Sequence, residues 1–347
     1  MSMSSVTPTL SSAPAGPKPS GTTPDLRQRL ALIDQGLLIA GLTLAMVVIG
    51  AVFVDGMFTV ENFTTMARLS APLAILAVAS SIVIMGKNVD LSVVAIVGIA
   101  GMATVQLWTR HGFGEWQAIL AVIGVALVIG LLNGWLVAYV EIPALFVTLG
   151  TWKLFEGLFN VTLLDTQNYP LPRDSEIVAA LGRGSVPTLL AAAVLVGAWA
   201  FMKYTTYGQL IRATGDSPAA ARLTGVPVRP LVVGTFVIAA LLACLVGLLQ
   251  LGVNGGYSKA YGSGEDLMFN AITAAVIGGV SLTGGRGTIF GVFAGTAFIT
   301  VFVNLMTLLN VSVVTSVVIR GAILLAALAL DAWLHPRDEE TAKSDDL

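Results

Sequence analysis

The stretch KYTTYGQLIRATGDSPAAARLTGVPVR, residues 203–229, is the one long polar interruption in the second half of an otherwise strongly apolar chain. Ser217 is a residue type that caps helix N termini, Pro218 suits the first helical position, and Gly225 is a typical helix stop. The pattern predicts a short, capped helix between two apolar segments. Such a helix is typical of a docking element that a partner holds from one side of a membrane.

The composition of the whole chain indicates a membrane protein. Of 347 residues, 56% are hydrophobic and 11% are charged, whereas soluble domains contain roughly 25% charged residues. Apolar runs of about 18 residues or more can cross a ~30 Å hydrocarbon core as helices. The sequence therefore predicts an all-α membrane protein with about ten transmembrane helices, near residues 36–54, 69–86, 89–108, 116–140, 142–164, 187–203, 230–253, 269–283, 288–309 and 311–334. The sixth and eighth are the shortest, which favours tilted or broken helices there.

The same reading divides the chain into three parts. Residues 1–30 contain many Ser, Thr, Pro and Gly residues and few large apolar ones, which predicts a disordered tail. Residues 31–335 form the predicted transmembrane domain, and residues 336–347 form a second tail. The first apolar run begins only near Gly36, so we expect it to remain as an anchor rather than be cleaved as a signal. Lys and Arg are more numerous in the loops on the side of the N terminus, which predicts that both tails are cytoplasmic.

Several other classes of protein are disfavoured by what the sequence lacks. No cluster of Lys and Arg suits a nucleic acid, and Cys244 is the single cysteine, so neither an intrachain disulfide nor a cysteine metal site is possible. The two histidines, His111 and His335, lie outside the predicted spans, so no Ser–His pair or zinc helix can form within the bilayer. Gly86-Lys87 is followed by Asn88 rather than Ser or Thr, so the phosphate loop of an ATPase is missing.

Glycine-rich or polar breaks occur inside or between the predicted spans. Irregular backbone at membrane depth persists only where protein buries it or water reaches it, so the breaks predict a solvated path through the bundle. The first and the last break lie at similar places in the two halves of the chain, as in transporters built from repeats with discontinuous helices. The glycines that we assign to these breaks are Gly86, Gly150, Gly278, Gly279, Gly284, Gly285 and Gly287.

Four segments together resemble a known family. They are Asp90-Leu91-Ser92 at the first break, Phe146-Val147-Thr148-Leu149-Gly150-Thr151, the loop Ala220-Ala221-Arg222-Leu223-Thr224-Gly225-Val226, and Ile277-Gly278-Gly279 followed by Gly284-Gly285-Arg286-Gly287-Thr288. In this order they are similar to the permease subunit of ATP-binding-cassette sugar importers of the ribose class. The resemblance covers residues 36–334. It implies the fold of type II importer permeases for the predicted transmembrane domain.

The resemblance also implies partners and a location. Such permeases pair as dimers, receive a small sugar from a periplasmic binding protein, and are driven by two cytoplasmic ATP-hydrolysing subunits. ATP and Mg²⁺ would then be used by the partner subunits, with no cofactor or metal bound by this chain, and the location would be the bacterial inner membrane. The residues that the resemblance assigns to coupling with the ATPase are Asp216, Ser217, Pro218, Ala219, Ala220, Ala221, Arg222, Leu223, Thr224 and Gly225.

The chain departs from the family at several positions. Lys87 and Asn88 replace a glycine pair, Val94 replaces a glycine, and Ser217 and Ala219 replace an Asn and a Glu. Before the eighth span, Met268-Phe269-Asn270 replaces Glu-Leu-Asp. A less charged pathway favours an uncharged sugar or polyol. The alternatives left open are a branched-chain amino acid or nucleoside permease of the same class, and an ion-driven secondary transporter, which would need no docking helix.

Polar residues near the breaks are the candidates for the substrate pathway. An acid within the membrane is costly unless it is paired, capping or hydrated, so Asp90 either lines the path or caps the third span together with Ser92. Lys153 and Glu156 either neutralise each other at i,i+3 spacing or border the path. Arg320 either is structural, with its side chain extended towards the interface, or is functional. The pathway residues that we predict are Asn88, Asp90, Ser92, Thr148, Asn160 and Asn270.

Two outer loops, residues 165–186 and 254–266, carry charges that a binding protein would meet. Charge pairs of this kind steer docking more than they tighten it. An ordinary solvated loop is the alternative for each residue. The predicted docking residues are Arg173, Asp174, Glu176, Lys259 and Glu265.

Overall fold

The computed structural model describes residues 35–163, 168–258 and 264–334. Within these ranges the chain forms thirteen α-helices and two short β-strands. Their bounds are α1 Gln35–Phe53, α2 Val60–Met85, α3 Val93–His111, α4 Glu115–Ala138, α5 Ala144–Leu163, β1 Asn168–Pro170, α6 Ile177–Leu181, α7 Val186–Tyr204, α8 Thr206–Asp216, α9 Pro218–Leu223, α10 Val228–Asn254, β2 Gly256–Ser258, α11 Glu265–Ile277, α12 Ile289–Leu308 and α13 Val313–Leu334. The predicted tails, 1–30 and 336–347, lie outside the described residues.

Each of the ten predicted spans coincides with a helix. Among the described residues, seven helices, α1 to α4, α7, α10 and α12, are long and apolar enough to cross a membrane by length and composition. The second span begins nine residues earlier than predicted, at Val60, because the polar segment that precedes the apolar run, including Glu61 and Asn62, is helical as well. The sixth span is a full helix of 19 residues. The eighth, α11, has only 13 residues and is the short one.

The core of the bundle is built around α10. This helix of 27 residues packs against α2, α3 and α4. Phe236 and Ala240 of α10 and Ile129 of α4 are completely buried, so these two helices share an apolar interface. Much of α1 and α7 is exposed instead, as expected for helices whose outer faces meet lipid.

Two long helices are each followed by a break and a further helix. The 26 residues of α2 lead through residues 86–92 into α3, and the 27 residues of α10 lead through residues 255–264 into α11. The starts of α3 and α11 are adjacent, since a β-carbon on Gly264 would lie 3.3 Å from the carbonyl oxygen of Val94. The last break, residues 278–287, also meets the end of α2, since the Gly285 amide donates a 2.9 Å hydrogen bond to the Met85 carbonyl, and the correspondence of the first and last breaks stays a prediction.

The break predicted at Gly150 is absent, because this glycine lies inside the continuous helix α5. The neighbouring threonines bond within the helix: Thr148 Oγ1 donates to the Ala144 carbonyl at 2.8 Å and Thr151 Oγ1 to the Val147 carbonyl at 3.0 Å. A hydroxyl that bonds back to the preceding turn is compatible with a helix interior. The segment is polar without being broken.

The two outer loops are joined by a small antiparallel sheet. Strand β1 pairs with β2 in the register Asn168↔Ser258, Tyr169↔Tyr257 and Pro170↔Gly256. Tyr257 extends inward from this sheet, and its hydroxyl lies 3.4 Å from the β-carbon position of Gly98 on α3. The sheet thus connects two loops that are distant in sequence. Across it, Ser258 Oγ donates a 2.6 Å hydrogen bond to Asn168 Oδ1, 90 residues away.

Candidate functional site

The polar stretch 203–229 forms a pair of helices rather than the single helix that the sequence predicts. Thr205 caps α8 by accepting a 3.1 Å hydrogen bond from the Gly208 amide. Ser217 caps α9 by accepting a 3.3 Å bond from the Ala220 amide, with Pro218 in the first turn, so the predicted cap is confirmed. Gly225 follows the helix with a φ of +81°. Asp216 ends the first helix of the pair.

The second helix of this pair presents a mostly exposed surface. Ala221 is buried, whereas Leu223 is 90% exposed. A large apolar side chain with so much of its surface exposed, on a short polar segment, is typical of a protein contact. The exposed residues of this surface are Ala219, Ala220, Arg222, Leu223, Thr224 and Gly225.

The helix pair is packed directly against both glycine-rich breaks. A β-carbon on Gly215 would overlap the Met85 carbonyl oxygen and lie 2.6 Å from the Gly285 amide nitrogen. That amide donates a 2.9 Å hydrogen bond to the same carbonyl. We call this contact of Gly215, Met85 and Gly285 the glycine junction. Because backbone atoms meet there without intervening side chains, α8 is in direct contact with the segments that carry residues 86–92 and 278–287.

The first break carries a buried polar network. Asp90 Oδ1 accepts hydrogen bonds from the Ser92 amide at 2.9 Å and the Ser92 hydroxyl at 2.6 Å, immediately before α3 begins. Ser92 Oγ also accepts a 2.7 Å bond from Asn133 Nδ2 on α4. Asp90 therefore caps α3, as one of the two sequence interpretations has it. Ser92 bridges to α4 instead of capping with its side chain.

Two oxygens of this network have no hydrogen-bond partner among the described residues. They are Oδ2 of Asp90 and Oδ1 of Asn133, and both side chains are buried. Buried acceptors without a donor are rare, so the site can accept hydrogen bonds from a hydroxyl group or from water. Asn133 was not among the predicted residues. No local pattern marks it, since it is an isolated amide in an apolar helix 41 positions from Ser92.

Of the other predicted pathway residues, Asn88 and Thr148 lie at the first break, whereas Asn270 lies apart from it. Asn88 Nδ2 donates to the Gly86 carbonyl at 2.9 Å within the loop, and Thr148 Oγ1 reaches the Val89 carbonyl at 3.4 Å. Asn270 Oδ1 accepts a 2.9 Å bond from Arg320 Nη1, which ties α11 to α13. Asn160 lies in α5, and its side chain is outside what the structure describes.

Three charged residues inside predicted spans, Lys153, Glu156 and Arg320, have polar partners. Lys153 Nζ lies 2.9 Å from Glu156 Oε2, so the predicted neutralisation within α5 is confirmed. Arg320 Nε also donates to the Ser316 carbonyl at 3.3 Å.

Cys244 is buried among apolar side chains. In the described part of the chain, no group of three or more His, Cys, Asp or Glu residues is arranged to hold a metal ion.

The loops that the sequence predicts to be outer form a platform, here called the outer platform and described over residues 168–186 and 254–258, at the opposite end of α7 from the helix pair. Glu115 Oε1 accepts bonds from Ser175 Oγ at 2.8 Å and the Val178 amide at 2.8 Å, which holds the N terminus of α6. Arg173, Asp174 and Glu176 are exposed beside it, and Glu265 is partly exposed at the start of α11. Lys259 lies outside the described residues.

These features are those of a polytopic α-helical membrane protein that has discontinuous helices and an exposed helix pair in contact with its breaks. Residues 62–328 match the family described as the permease component of branched-chain amino acid transport systems. The chain belongs to this family. It is the membrane subunit of an ATP-binding-cassette importer, a family without catalytic activity of its own, and ATPase and substrate-binding partners are implied.

Characterised relatives align over most of the chain. The fructose import permease protein FrcC of Rhizobium meliloti is 28% identical over 85% of this chain and 84% of its own length. The autoinducer 2 import system permease protein LsrC of Yersinia pestis (strain Pestoides F) is 31% identical over 80% of this chain and 79% of its own. LsrC of Yersinia pseudotuberculosis serotype O:1b is 30% identical over the same shares. No solved structure gives a significant match.

Proposed function

We propose that this chain moves a small sugar or a related polyol across the bacterial inner membrane by alternating access. The observation that carries the cargo class is the similarity to a fructose import permease along most of both chains. Of the charged residues noted inside the spans, Lys153 and Glu156 neutralise each other and Arg320 is held by an amide. The acceptor oxygens of Asp90 and Asn133 that lack a donor suit the hydroxyl groups of a sugar or polyol.

The cargo can be tested on the partner substrate-binding protein that membership of the family implies. Its melting temperature would be measured with hexoses, pentoses and polyols, and separately with leucine, isoleucine and valine, since a ligand stabilises only the protein that binds it. Uptake of the stabilising solute in cells with and without this chain then completes the test. Stabilisation by the amino acids alone would contradict the proposal and favour the amino acid alternative.

We further propose that the helix pair α8–α9 receives the ATPase subunits on the cytoplasmic side. The exposed Leu223 and Arg222 beside it support this contact. Arg222→Glu should reduce uptake and co-purification of the ATPase while leaving membrane insertion intact. Arg183→Glu, an exposed arginine at the other end of α7, is the matched control for co-purification of the ATPase. Normal uptake by Arg222→Glu would remove the helix pair from the coupling site.

The substrate path is proposed to run past the network of Asp90, Ser92 and Asn133 and past the Asn270–Arg320 contact. The two unpaired acceptor oxygens of the network support recognition of a sugar hydroxyl, which would donate to them. Asp90→Ala and Asn270→Ala should each lower uptake and alter the preference among related sugars. Unchanged rates and preferences in both variants would exclude these residues from the path.

The outer platform is proposed as the docking surface of the binding protein, with Arg173, Asp174, Glu176 and Glu265 as its charged contacts. The support is that β1–β2 pairing and Glu115 hold the loops together at one end of the bundle.

A second copy of the chain is proposed to complete the transporter, and both termini are proposed to be cytoplasmic. Cross-linking of purified complexes, with size determination, tests the dimer.

A further inference from the structure

A shallow groove lies between the last turns of α4 and the first turns of α10, at the end of the bundle that carries the helix pair. Its volume is about 590 Å³, and it is lined by Leu131, Leu132, Trp135, Tyr139, Pro230 and Val233. Trp135 is 52% exposed and Tyr139 is 47% exposed. Exposed apolar side chains on a membrane-spanning helix meet the hydrocarbon of the bilayer, and Trp and Tyr favour the headgroup level.

An exposed ion pair sits at the polar end of this groove. The guanidinium carbon of Arg229 lies 5.6 Å from the centre of the Tyr139 ring. Its Nη2 lies 3.1 Å from Glu141 Oε1, and the two side chains are 52% and 60% exposed. One positive and one negative group are therefore presented side by side, directly beyond an apolar groove.

We propose that this groove and ion pair bind a phospholipid with a zwitterionic ethanolamine headgroup. An acyl chain would lie along Leu131 and Trp135, the guanidinium of Arg229 would donate hydrogen bonds to the phosphate, and the carboxylate of Glu141 would accept from the ammonium. The proposal goes beyond sugar transport and depends only on the chain being a membrane protein.

The ion pair selects among headgroups by charge. A headgroup with a net negative charge would meet the carboxylate of Glu141 next to Arg229, and this repulsion opposes binding. A choline headgroup has no N–H to donate to Glu141, whereas ethanolamine has three. The ethanolamine headgroup alone matches both members of the pair.

The test is native mass spectrometry of the purified protein with titrated phosphatidylethanolamine, phosphatidylcholine and phosphatidylglycerol. Wild-type protein should prefer phosphatidylethanolamine by about tenfold, the change expected for one charge-assisted hydrogen bond. Glu141→Gln should shift the preference to phosphatidylglycerol, and Arg229→Gln should weaken binding of all three. Arg183→Gln, an exposed arginine at the opposite end of α7, should change nothing.

Four outcomes would overturn the proposal. The first is equal binding of the three lipids by wild-type protein. The second is a Glu141→Gln variant with an unaltered preference. The third is binding of soluble phosphoethanolamine as tight as that of phosphatidylethanolamine, because the apolar groove would then contribute nothing to the affinity for lipid. The fourth is an oligomer, formed without lipid, that Trp135→Arg dissociates, because the groove would then be covered by a second copy of the chain.

Discussion

At the scale of single residues, Asn133 fixes the break that precedes α3. Its amide donates to Ser92, and Ser92 in turn bonds the carboxylate that caps the helix. All three side chains are buried, so water cannot replace a lost bond easily. The contact from Asn133 therefore helps to hold the geometry of the break from a neighbouring helix.

Asn133→Ala should lower the free energy of unfolding by about 1–3 kcal/mol, since it removes a fully buried hydrogen bond and leaves a small void. Thermal unfolding in detergent measures the loss, and uptake should fall as well. Thr64→Ala, which removes an exposed hydroxyl bonded within its own helix, is the control. Because Asn133 and Ser92 are bonded, Asn133→Ala and Ser92→Ala should be non-additive. Strict additivity would show that the bond is unimportant.

Residue contacts were predictable from the sequence where they are local. The Lys153–Glu156 pair follows from i,i+3 spacing, and the Asp90 cap follows from its place before an apolar helix. The bond from Asn133 to Ser92 and the bond from Arg320 to Asn270 join distant segments. A single sequence carries no information about such pairs, because helix packing decides which helices become neighbours.

At the scale of elements, the glycine junction connects three segments that the sequence marks separately. The polar stretch, the first break and the last break are each recognisable by composition, but their contact depends on tertiary structure. At Gly150 the composition alone predicts the wrong local structure. Glycine between threonines suggests a break, yet the threonine hydroxyls bond to carbonyls of the preceding turn and the helix continues.

Gly215→Ala tests whether the junction transmits motion. The added methyl group would overlap the Met85 carbonyl, and relief requires movement of α8 away from the breaks. Overpacking typically costs about 1–3 kcal/mol of stability, and the displaced junction should lower the uptake that the ATPase drives. ATP hydrolysis by the assembled complex should continue while uptake falls.

Gly234→Ala is the matched control, because this helical glycine has nothing within 4 Å of its β-carbon position. That variant should insert and transport normally. If Gly215→Ala transported as well as Gly234→Ala, the junction would be a passive contact.

Glu115 sets the position of α6 in the outer platform. Its carboxylate accepts from the amides of Glu176, Ile177 and Val178, which places a negative charge at the N terminus of this short helix. Glu115→Ala should accelerate amide hydrogen exchange at residues 175–181 and reduce stimulation of the ATPase by the binding protein. Unchanged exchange would mean that β1–β2 pairing alone holds the platform.

At the scale of the whole molecule, the helical segments were predicted well and their arrangement was not. Hydropathy located all ten apolar helices because each must satisfy its backbone within the bilayer. Hydropathy does not predict which helices have N termini that meet inside the bundle. The 26-residue α2 and the 27-residue α10, each followed by a shorter helix, support the interpretation that the two halves of the chain are related.

The orientation of the bundle can be measured with engineered cysteines, because the single native one, Cys244, is buried. Ala220→Cys lies on the exposed helix α9, and Asp174→Cys lies on the exposed platform. The 19 residues of α7 separate these regions, a distance of about 28 Å at ~1.5 Å per residue. Because basic loops remain inside, a membrane-impermeant maleimide should label Asp174→Cys in spheroplasts and Ala220→Cys only in inverted vesicles. Labelling of Ala220→Cys in intact spheroplasts would reverse the topology and place the helix pair beyond the reach of any cytoplasmic ATPase.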